Sequence, residues 1–501
     1  MNALDWIAKW ADYTPDKIAV TSYDNQESYT YATIHNYTNH LVNHLISLNI
    51  HEGDRVAVLA EHGPFYLVLF SACQRLGAIL TPLNYRLSQA EIGNLVADCR
   101  PSLLIYSKAQ QAKINFEVVN IPFYDVSELT AIFKREEEPA FVIKKEVKES
   151  NPLFLFYTSG TTGMPKGVLY TNKMMFWNSL NTSMQLGITF KDSTINALPP
   201  YHTSGWNIFI TPLLHKGAHI GMVEKFEAER VLHLLEENKT TLFMALPTML
   251  TMMQKTDMFH KAKLTDLRYI ISGGEMVSFE LVSHWKTEKN IDIRPGYGLT
   301  EAGPSITSLH HEMVLLKPNS IGKPNFYLSI KIIDENGKRL KENEIGELCI
   351  QGDIITPGYW NNSVATRDKI KDGWLHTGDL VCSDSEGYLY LKGRKDDMYI
   401  SGGENIYPQE IEFCIEKLTG IKDALVLPIK DQKWGACSIA FVTCNDALIT
   451  SEKVHDFLKG NLAYYKHPKY IFILDEIPLT SLGKVSRKKL YEYFNSLIPK
   501  S

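Results

Sequence analysis

The chain has no excess of positive charge: across 501 residues, 52 Lys and Arg stand against 57 Asp and Glu, a net charge of −5. That balance argues against nucleic acid or an anionic membrane surface as the partner. Long apolar runs are missing as well. The most hydrophobic stretch, residues 65–73 (FYLVLFSAC), is too short to span a bilayer and predicts a buried helix instead. The opening MNALDWIAKWADYTPDK lacks the apolar core of a signal peptide, so the expected location is cytoplasmic, with no transmembrane segment. Seven cysteines are scattered without a C-x-x-C pair, which excludes a zinc ribbon or a disulfide frame and fits reduced thiols. No His/Glu cluster has the spacing of a metal site, so any metal is expected to arrive with a substrate. Repeats and low-complexity linkers are absent. A homodimer is compatible with this composition.

What is present is a long α/β pattern. RVAVLA (55–60) reads as a buried strand, FYLVLFSACQRLG as a helix closed by Gly77, and AILTPLN (78–84) as the next strand. STINALPP, AHIGMV, TLFMAL, LRYIISGG and IDIRPGYG continue the series with helical stretches between them. This alternation predicts largely parallel sheets, two of them at this length. Short alternating strands from about 320 to 392 predict a small β-rich subdomain. After GRKDD (393–397) an α-β-β-α-β order begins, with Pro408 in a first helical turn and Ser451 as a helix cap. The expected fold is therefore α/β. A large domain over 1–394 contains two parallel α/β sheets and the β-rich subdomain, and a small α+β domain over 395–501 follows a hinge. Leu4, Ile7 and Trp10 predict a short amphipathic helix docked on the body.

One stretch cannot be explained by packing. YTSGTTGMPKG (157–167) is dense in glycine and hydroxyls and carries one lysine. It is not the common phosphate loop G-x-x-x-x-G-K-[ST]. Pro165 occupies the place of the second glycine, and Gly167 stands where a Ser or Thr would hold magnesium. Apolar runs flank it on both sides, so it joins two strands. Thr158, Ser159, Thr161 and Thr162 offer hydroxyl donors, and Gly160 and Gly163 let backbone N–H groups approach an anion. With Lys166 beside them, this donor density suits a polyphosphate.

Four further stretches accompany it: GGE (273–275), YGLTE (297–301), TGD (377–379) with GRKDD, and PLTSLGKVSRKKL (478–490). In this order and spacing the chain resembles the adenylate-forming enzymes, which include acyl-CoA synthetases, peptide-synthetase adenylation domains and luciferases. The resemblance runs over nearly the whole chain. It implies that a carboxylic acid attacks ATP to give an acyl-adenylate and pyrophosphate, and that a thiol then displaces AMP.

The resemblance also implies roles. Residues 158–163 with Lys166 would hold the β and γ phosphates. Glu301 would bind the Mg2+ that bridges them, and Thr300 would touch the α-phosphate. Tyr297, with Gly298 beside it, would stack on adenine, with Gly273, Gly274 and Glu275 passing the other face. Asp379 and Arg394 would hold the ribose. Lys484 would reach the α-phosphate and the acid's carboxylate, and Asp396 would be the pivot about which the small domain turns. Gly402, Gly403 and Glu404 would then shape the thiol tunnel.

YHTSGWN (201–207) is where such relatives diverge. His202 matches a position near the carboxylate and the thiol tunnel. Amino-acid-activating domains carry a carboxylate next, to pair with the substrate ammonium; here Thr203 stands there, and a buried unpaired ammonium would be costly. Trp206 matches a gating tryptophan of some fatty-acyl-CoA synthetases, with an ordinary wall aromatic as the alternative. Residues 206–213, 244–250 and 306–309 are mostly apolar, and Met249, Met252 and Met253 offer an adaptable wall. Arg294, before a Pro-Gly turn, is expected to face solvent, leaving no basic partner for a second carboxylate. The expected substrates are thus an apolar fatty or aryl acid, ATP and coenzyme A. Loading of a separate carrier protein, a succinylbenzoate-type dicarboxylate ligase, and a nucleotide-binding protein without catalysis are the alternatives.

Overall fold

The computed structural model describes residues 4–114, 121–135, 146–158, 165–274, 277–395, 397–401, 404–431, 434–446, 448–462, 464–480 and 485–497. They form two compact units: Met1–Ile330 with Ile350–His376, and Lys331–Cys349 with Thr377–Ser501.

The larger unit is built on two sheets. In the first, strands run in the order Phe123–Asp125, Leu103–Tyr106, Arg55–Leu59, Ile79–Pro82, Pro152–Thr158, Lys166–Thr171. All pairings are parallel except the last, where Thr158 faces Lys166 in an antiparallel hairpin. The second sheet has nine strands. Its centre is the parallel series Ile293–Tyr297, Tyr269–Ser272, Leu242–Ala245, Ser193–Asn196, His219–Met222, Ile18–Ser22, and both edges are antiparallel. The apolar runs picked out above coincide with these strands because each is buried on both faces, as parallel strands between helices must be.

The helices obey their local signals. Phe65–Leu76 is buried along nearly its whole length and ends at Gly77 in the left-handed region (φ 75°), which only glycine adopts freely. Among the described residues no helix is long and apolar enough to cross a membrane. The N-terminal helix Trp6–Tyr13 buries Trp6 and Ile7, and the Trp6 ring stacks on His215 at 4.2 Å. Asp5 caps it and also receives a 2.7 Å ion pair from Arg75, both side chains being nearly buried. All seven cysteines are free.

In the smaller unit, Ile421–Asp431 pairs antiparallel with Gly435–Cys444, which pairs parallel with Tyr470–Leu474. Helices Pro408–Glu416 and Ser451–Asn461 cover this sheet through Ile411, Ile415, Val454 and Leu458. Helix Arg487–Leu497 buries Leu490 against Leu427, Ile439 and Phe441. The helix at 451 starts one residue earlier than the sequence suggests: Thr450, not Ser451, is the cap, its hydroxyl accepting from the Lys453 N–H. Strand Leu389–Arg394 pairs antiparallel with Trp374–Ser383 in the predicted β-rich stretch.

The Asp5–Arg75 pair is the testable link here. Removing one partner of a buried pair strands the other charge, which costs about 3–5 kcal/mol. Asp5→Ala is therefore expected to lower the melting temperature of the larger unit's transition, measured by calorimetry. Asp5→Asn, which keeps the cap and one hydrogen bond to Arg75, should lower it less.

Candidate active site

Two clusters of candidate residues form, one in each unit. The first surrounds the hairpin Pro152–Thr158/Lys166–Thr171. Its tip, with Ser159, Gly160, Thr161, Thr162 and Gly163, lies outside the described residues, as do Glu275, Asp396, Gly402, Gly403 and Lys484 and the side chain of Glu404. The stem is held from several sides. Thr158 Oγ1 donates to the Lys166 carbonyl at 3.3 Å. The Tyr157 hydroxyl donates to Asp98; burial first, then Cys99 and Asp98, push its pKa well up, so it remains a donor. The Trp360 N–H donates to the Gly167 carbonyl at 2.7 Å, and the Trp360 indole donates to the Asp98 carbonyl at 3.1 Å.

Glu301 reaches the same neighbourhood from the second sheet. Strand Ile293–Tyr297 pairs with Thr307–Ser308, and the turn between them carries the 3₁₀ helix Thr300–Ala302. Two glycines are required by close packing. A Cβ at Gly298 would sit 1.8 Å from the Pro304 carbonyl oxygen, and one at Gly273 would sit 2.6 Å from that of Gly296. YGLTE and the glycines Gly273 and Gly274 therefore lie at the ends of adjacent strands, with Tyr297 half-buried and Gly274 at a left-handed φ of 84°. The Glu301 carbonyl accepts from the Thr356 N–H at 2.8 Å, and its Oε1 accepts from the Tyr359 hydroxyl at 2.7 Å. Lys166 Nζ lies 5.7 Å from the centre of the Tyr359 ring. Tyr359 was not picked out in the sequence; an aromatic in GYW gives no local sign of a partner 58 positions away.

The second cluster belongs to the smaller unit. Asp379 and Arg394 are register partners on adjacent strands, with Nε 3.3 Å from Oδ1. Asp379 is buried and Arg394 exposed, so the guanidinium can turn to a ligand while the carboxylate stays fixed. Glu347 organises the approach: Oε1 accepts from the Gly378 N–H at 3.2 Å and Oε2 from Lys395 Nζ at 3.0 Å. Asp397 is gripped by the Arg487 guanidinium, with 2.7 Å between Nη2 and Oδ2.

The acid-recognition candidates also fall in the larger unit. His202 is exposed, whereas Thr203 is buried and accepts from Asn207 Nδ2 at 3.0 Å. Asn207 Oδ1 in turn accepts from Thr211 Oγ1 at 3.0 Å, so this chain of contacts is neutral throughout. Trp206 is fully buried. Its indole N–H donates to the Pro200 carbonyl at 2.9 Å, and its ring meets Phe154, Phe70, Tyr66 and His62 at centroid distances of 4.9, 5.7, 5.9 and 6.0 Å. Burial drops the His62 pKa to about 3, so that ring is neutral at physiological pH. Met249 and Met253 are buried and Met252 is exposed.

Arg294 does not face solvent as expected. It is 2 % exposed, donating from Nε to the Leu309 carbonyl at 2.9 Å and from Nη2 to Gln185 at 3.2 Å, with its guanidinium 4.7 Å from the Tyr269 ring centre. The carbonyl of Gln185 belongs to the last turn of helix Asn172–Leu186, whose negative dipole end suits a cation. Proximity to a Pro-Gly turn described its neighbours in sequence and missed this cluster of carbonyls. Among the described residues no group of His, Cys, Asp and Glu has metal-site geometry by itself.

Against known proteins, the AMP-binding enzyme family matches residues 7–360, and the AMP-binding enzyme C-terminal domain matches residues 410–484. The chain is 32 % identical to an indoleacetate–CoA ligase of Aromatoleum aromaticum, covering 97 % of each. It is 30 % identical to a long-chain-fatty-acid–CoA ligase of Mycobacterium tuberculosis, covering 100 % of each. Among solved structures it superimposes on the o-succinylbenzoate CoA synthetase of Bacillus subtilis in complex with an acyl-adenylate intermediate, with TM-score 0.87, 30 % identity and 97 % of each chain covered.

The burial of Trp206 leads to a stability prediction. Large-to-small changes of buried aromatics cost about 3–5 kcal/mol. Trp206→Ala should destabilise the larger unit by that order in urea denaturation, and Trp206→Phe by less. A Trp206→Ala variant as stable as the parent would show that the ring contributes nothing to the core.

Proposed function

We start from the fact that this chain belongs to the AMP-binding enzyme family, and we propose that the acid it activates is an apolar monocarboxylic acid, aryl or fatty. The reaction is that of an AMP-forming acyl-CoA synthetase. A carboxylate oxygen attacks the α-phosphorus of ATP, the bond to the bridging oxygen breaks and pyrophosphate leaves. The thiol of coenzyme A then attacks the acyl carbon and AMP leaves. The observation that carries the choice of acid is the neutral chain Thr203–Asn207–Thr211. An α-ammonium there would be buried without a counter-charge, a cost of several kcal/mol. The buried segments around it, including Ile208, Phe209, Leu213, Met244, Leu250, Ile306 and Leu309, favour a hydrocarbon or ring. Arg294 has two of its donors committed to carbonyls, which argues against a second carboxylate there. Trp206 borders this region and is assigned to the acyl path.

The first step joins two anions, so the residues must neutralise charge where it accumulates. Residues 158–163 and Lys166 are assigned to the β and γ phosphates, Thr300 to the α-phosphate, and Tyr297 with Gly273, Gly274, Glu275 and Gly298 to the adenine. Asp379 and Arg394 are assigned to the ribose. Glu301 suits a hard divalent cation: one oxygen is held by a neutral donor, and the other has no partner among the described residues. Magnesium bound there would offset the charge of the β and γ oxygens and keep several waters. His202, Gly402, Gly403 and Glu404 are assigned to the thiol side.

The test is pyrophosphate release across aryl, fatty, dicarboxylic and α-amino acids, with coenzyme A or a carrier protein as acceptor. Aryl or fatty acids with coenzyme A should give the signal and α-amino acids none. Strict dependence on a carrier protein would overturn the choice of acceptor. Within that assay Lys484 is expected to serve the first step only. A lysine about 4 Å from a phosphate charge contributes roughly 4 kcal/mol at an effective dielectric near 20, on the order of a thousandfold in rate. Lys484→Ala should lose that factor in adenylate formation and keep thioester formation from supplied adenylate. Equal loss in both half-reactions would remove Lys484 from this role.

The domain division at Asp396 is likewise a proposal: residues 1–394 adenylate and residues 395–501 turn between the two steps. It is supported by the anchoring on either side. The Lys395 N–H donates to the Gly378 carbonyl at 2.7 Å, and Asp397 is held by Arg487. The pivot is assigned to the residue between. Proline fixes φ near −65° and restricts the residue before it. Asp396→Pro should still release pyrophosphate but lower acyl-CoA output by about a hundredfold or more, whereas Asp396→Ala should keep most of both. Parental acyl-CoA synthesis by the proline variant would exclude the pivot.

A further inference from the structure

We propose that Tyr359 is a positioning residue for the nucleotide's metal, acting through Glu301; this rests on the reading of Glu301 given above. The segment 356–360, TPGYW, is a splint between the phosphate-loop hairpin and the YGLTE turn. On one side it follows the strand that leaves the loop. The Leu169 N–H donates to the Gly358 carbonyl at 3.1 Å, Tyr359 bridges to Val168, and the Trp360 N–H donates to Gly167. Thr356 Oγ1 adds a 2.6 Å bond to the Leu169 carbonyl. On the other side the same segment holds Glu301 twice, by the Thr356 N–H on its carbonyl and by the Tyr359 hydroxyl on Oε1.

The chemistry of that hydroxyl matters. A lysine or arginine on Oε1 would cancel the charge that attracts a divalent cation. A phenol orients the carboxylate and leaves its charge intact. With Oε1 fixed, Oε2 has a defined direction, and Glu301 is prepared as a monodentate ligand. The ring of Tyr359 has a second effect. Lys166 rests 5.7 Å from its centre and forms no ion pair with Glu301 among the described residues. The aromatic face gives the lysine a weak resting place, so cation and carboxylate do not collapse onto each other before nucleotide arrives. Tyr359 itself is 7 % exposed and its N–H donates to Thr366 Oγ1 at 3.0 Å, so its own position is set by the fold.

Tyr359→Phe removes the hydroxyl and keeps the ring and the splint. The experiment measures binding of a non-hydrolysable ATP analogue by titration calorimetry as free Mg2+ is varied. The parent, Tyr359→Phe, Glu301→Ala and the double variant are compared. Loss of a group that orients a metal ligand typically weakens metal affinity by about 10–100-fold. Tyr359→Phe should raise the Mg2+ concentration for half-maximal binding by about tenfold, leave analogue binding in EDTA unchanged, and leave thioester formation from supplied adenylate unchanged. In the Glu301→Ala background the same change should have no further effect. An unchanged Mg2+ dependence in Tyr359→Phe, with Glu301→Ala shifted, would overturn the role of Tyr359 alone. An unchanged dependence in Glu301→Ala would overturn the metal reading of Glu301, and an additive double variant would show that Tyr359 does not act through it.

Discussion

The antiparallel pairing of Thr158 with Lys166 is the constraint on which the described geometry of the proposed nucleotide site in the larger unit depends. A loop of glycines and small hydroxyls has little side-chain packing to order it, and glycine loses the most conformational freedom on folding. Its ends must therefore be held by what surrounds them. Tyr157 is tied to Asp98, Gly167 is paired with Trp360, and the segment 356–360 carries that restraint across to Glu301. The stem of the hairpin and the Glu301 carboxylate are thus fixed to one another through the segment 356–360.

The smaller unit solves its problem differently. Asp379 is a buried carboxylate whose position is set by a β-ladder and by Glu347, while its partner Arg394 remains exposed. A fixed acceptor with a movable donor suits hydroxyl recognition, in which geometry must be held on one side and adjusted on the other. The charges around it are paired in sequence-distant steps, Lys395 with Glu347 and Arg487 with Asp397. The stretch GRKDD is therefore more than a solvated charged turn: each described charge in it has a specific partner.

Much of the fold was legible because its signals are local. A strand buried on both faces reads as an apolar run, a helix end reads as Gly77, and a first turn reads as Pro408. The shift from Ser451 to Thr450 shows the limit of such signals: two adjacent hydroxyl residues cap equally well on paper, and the geometry of the incoming chain chose between them. Among the methionines of helix Pro247–Gln254, composition could not say which faced inward. The helical turn buries Met249 and Met253, four apart, and exposes Met252.

The sequence by itself determined where the strands lie along the chain, that the stretch 157–167 joins two strands, the family resemblance and the neutral residue at Thr203. Each follows from residue type and spacing along the chain. Tertiary structure alone decided that Arg294 is buried on carbonyls, that Trp206 sits inside an aromatic cluster, and that the Tyr359 hydroxyl donates to Glu301. These depend on partners far apart in sequence. No periodicity encodes which side chains two strand ends and a distant loop will bring within hydrogen-bonding distance.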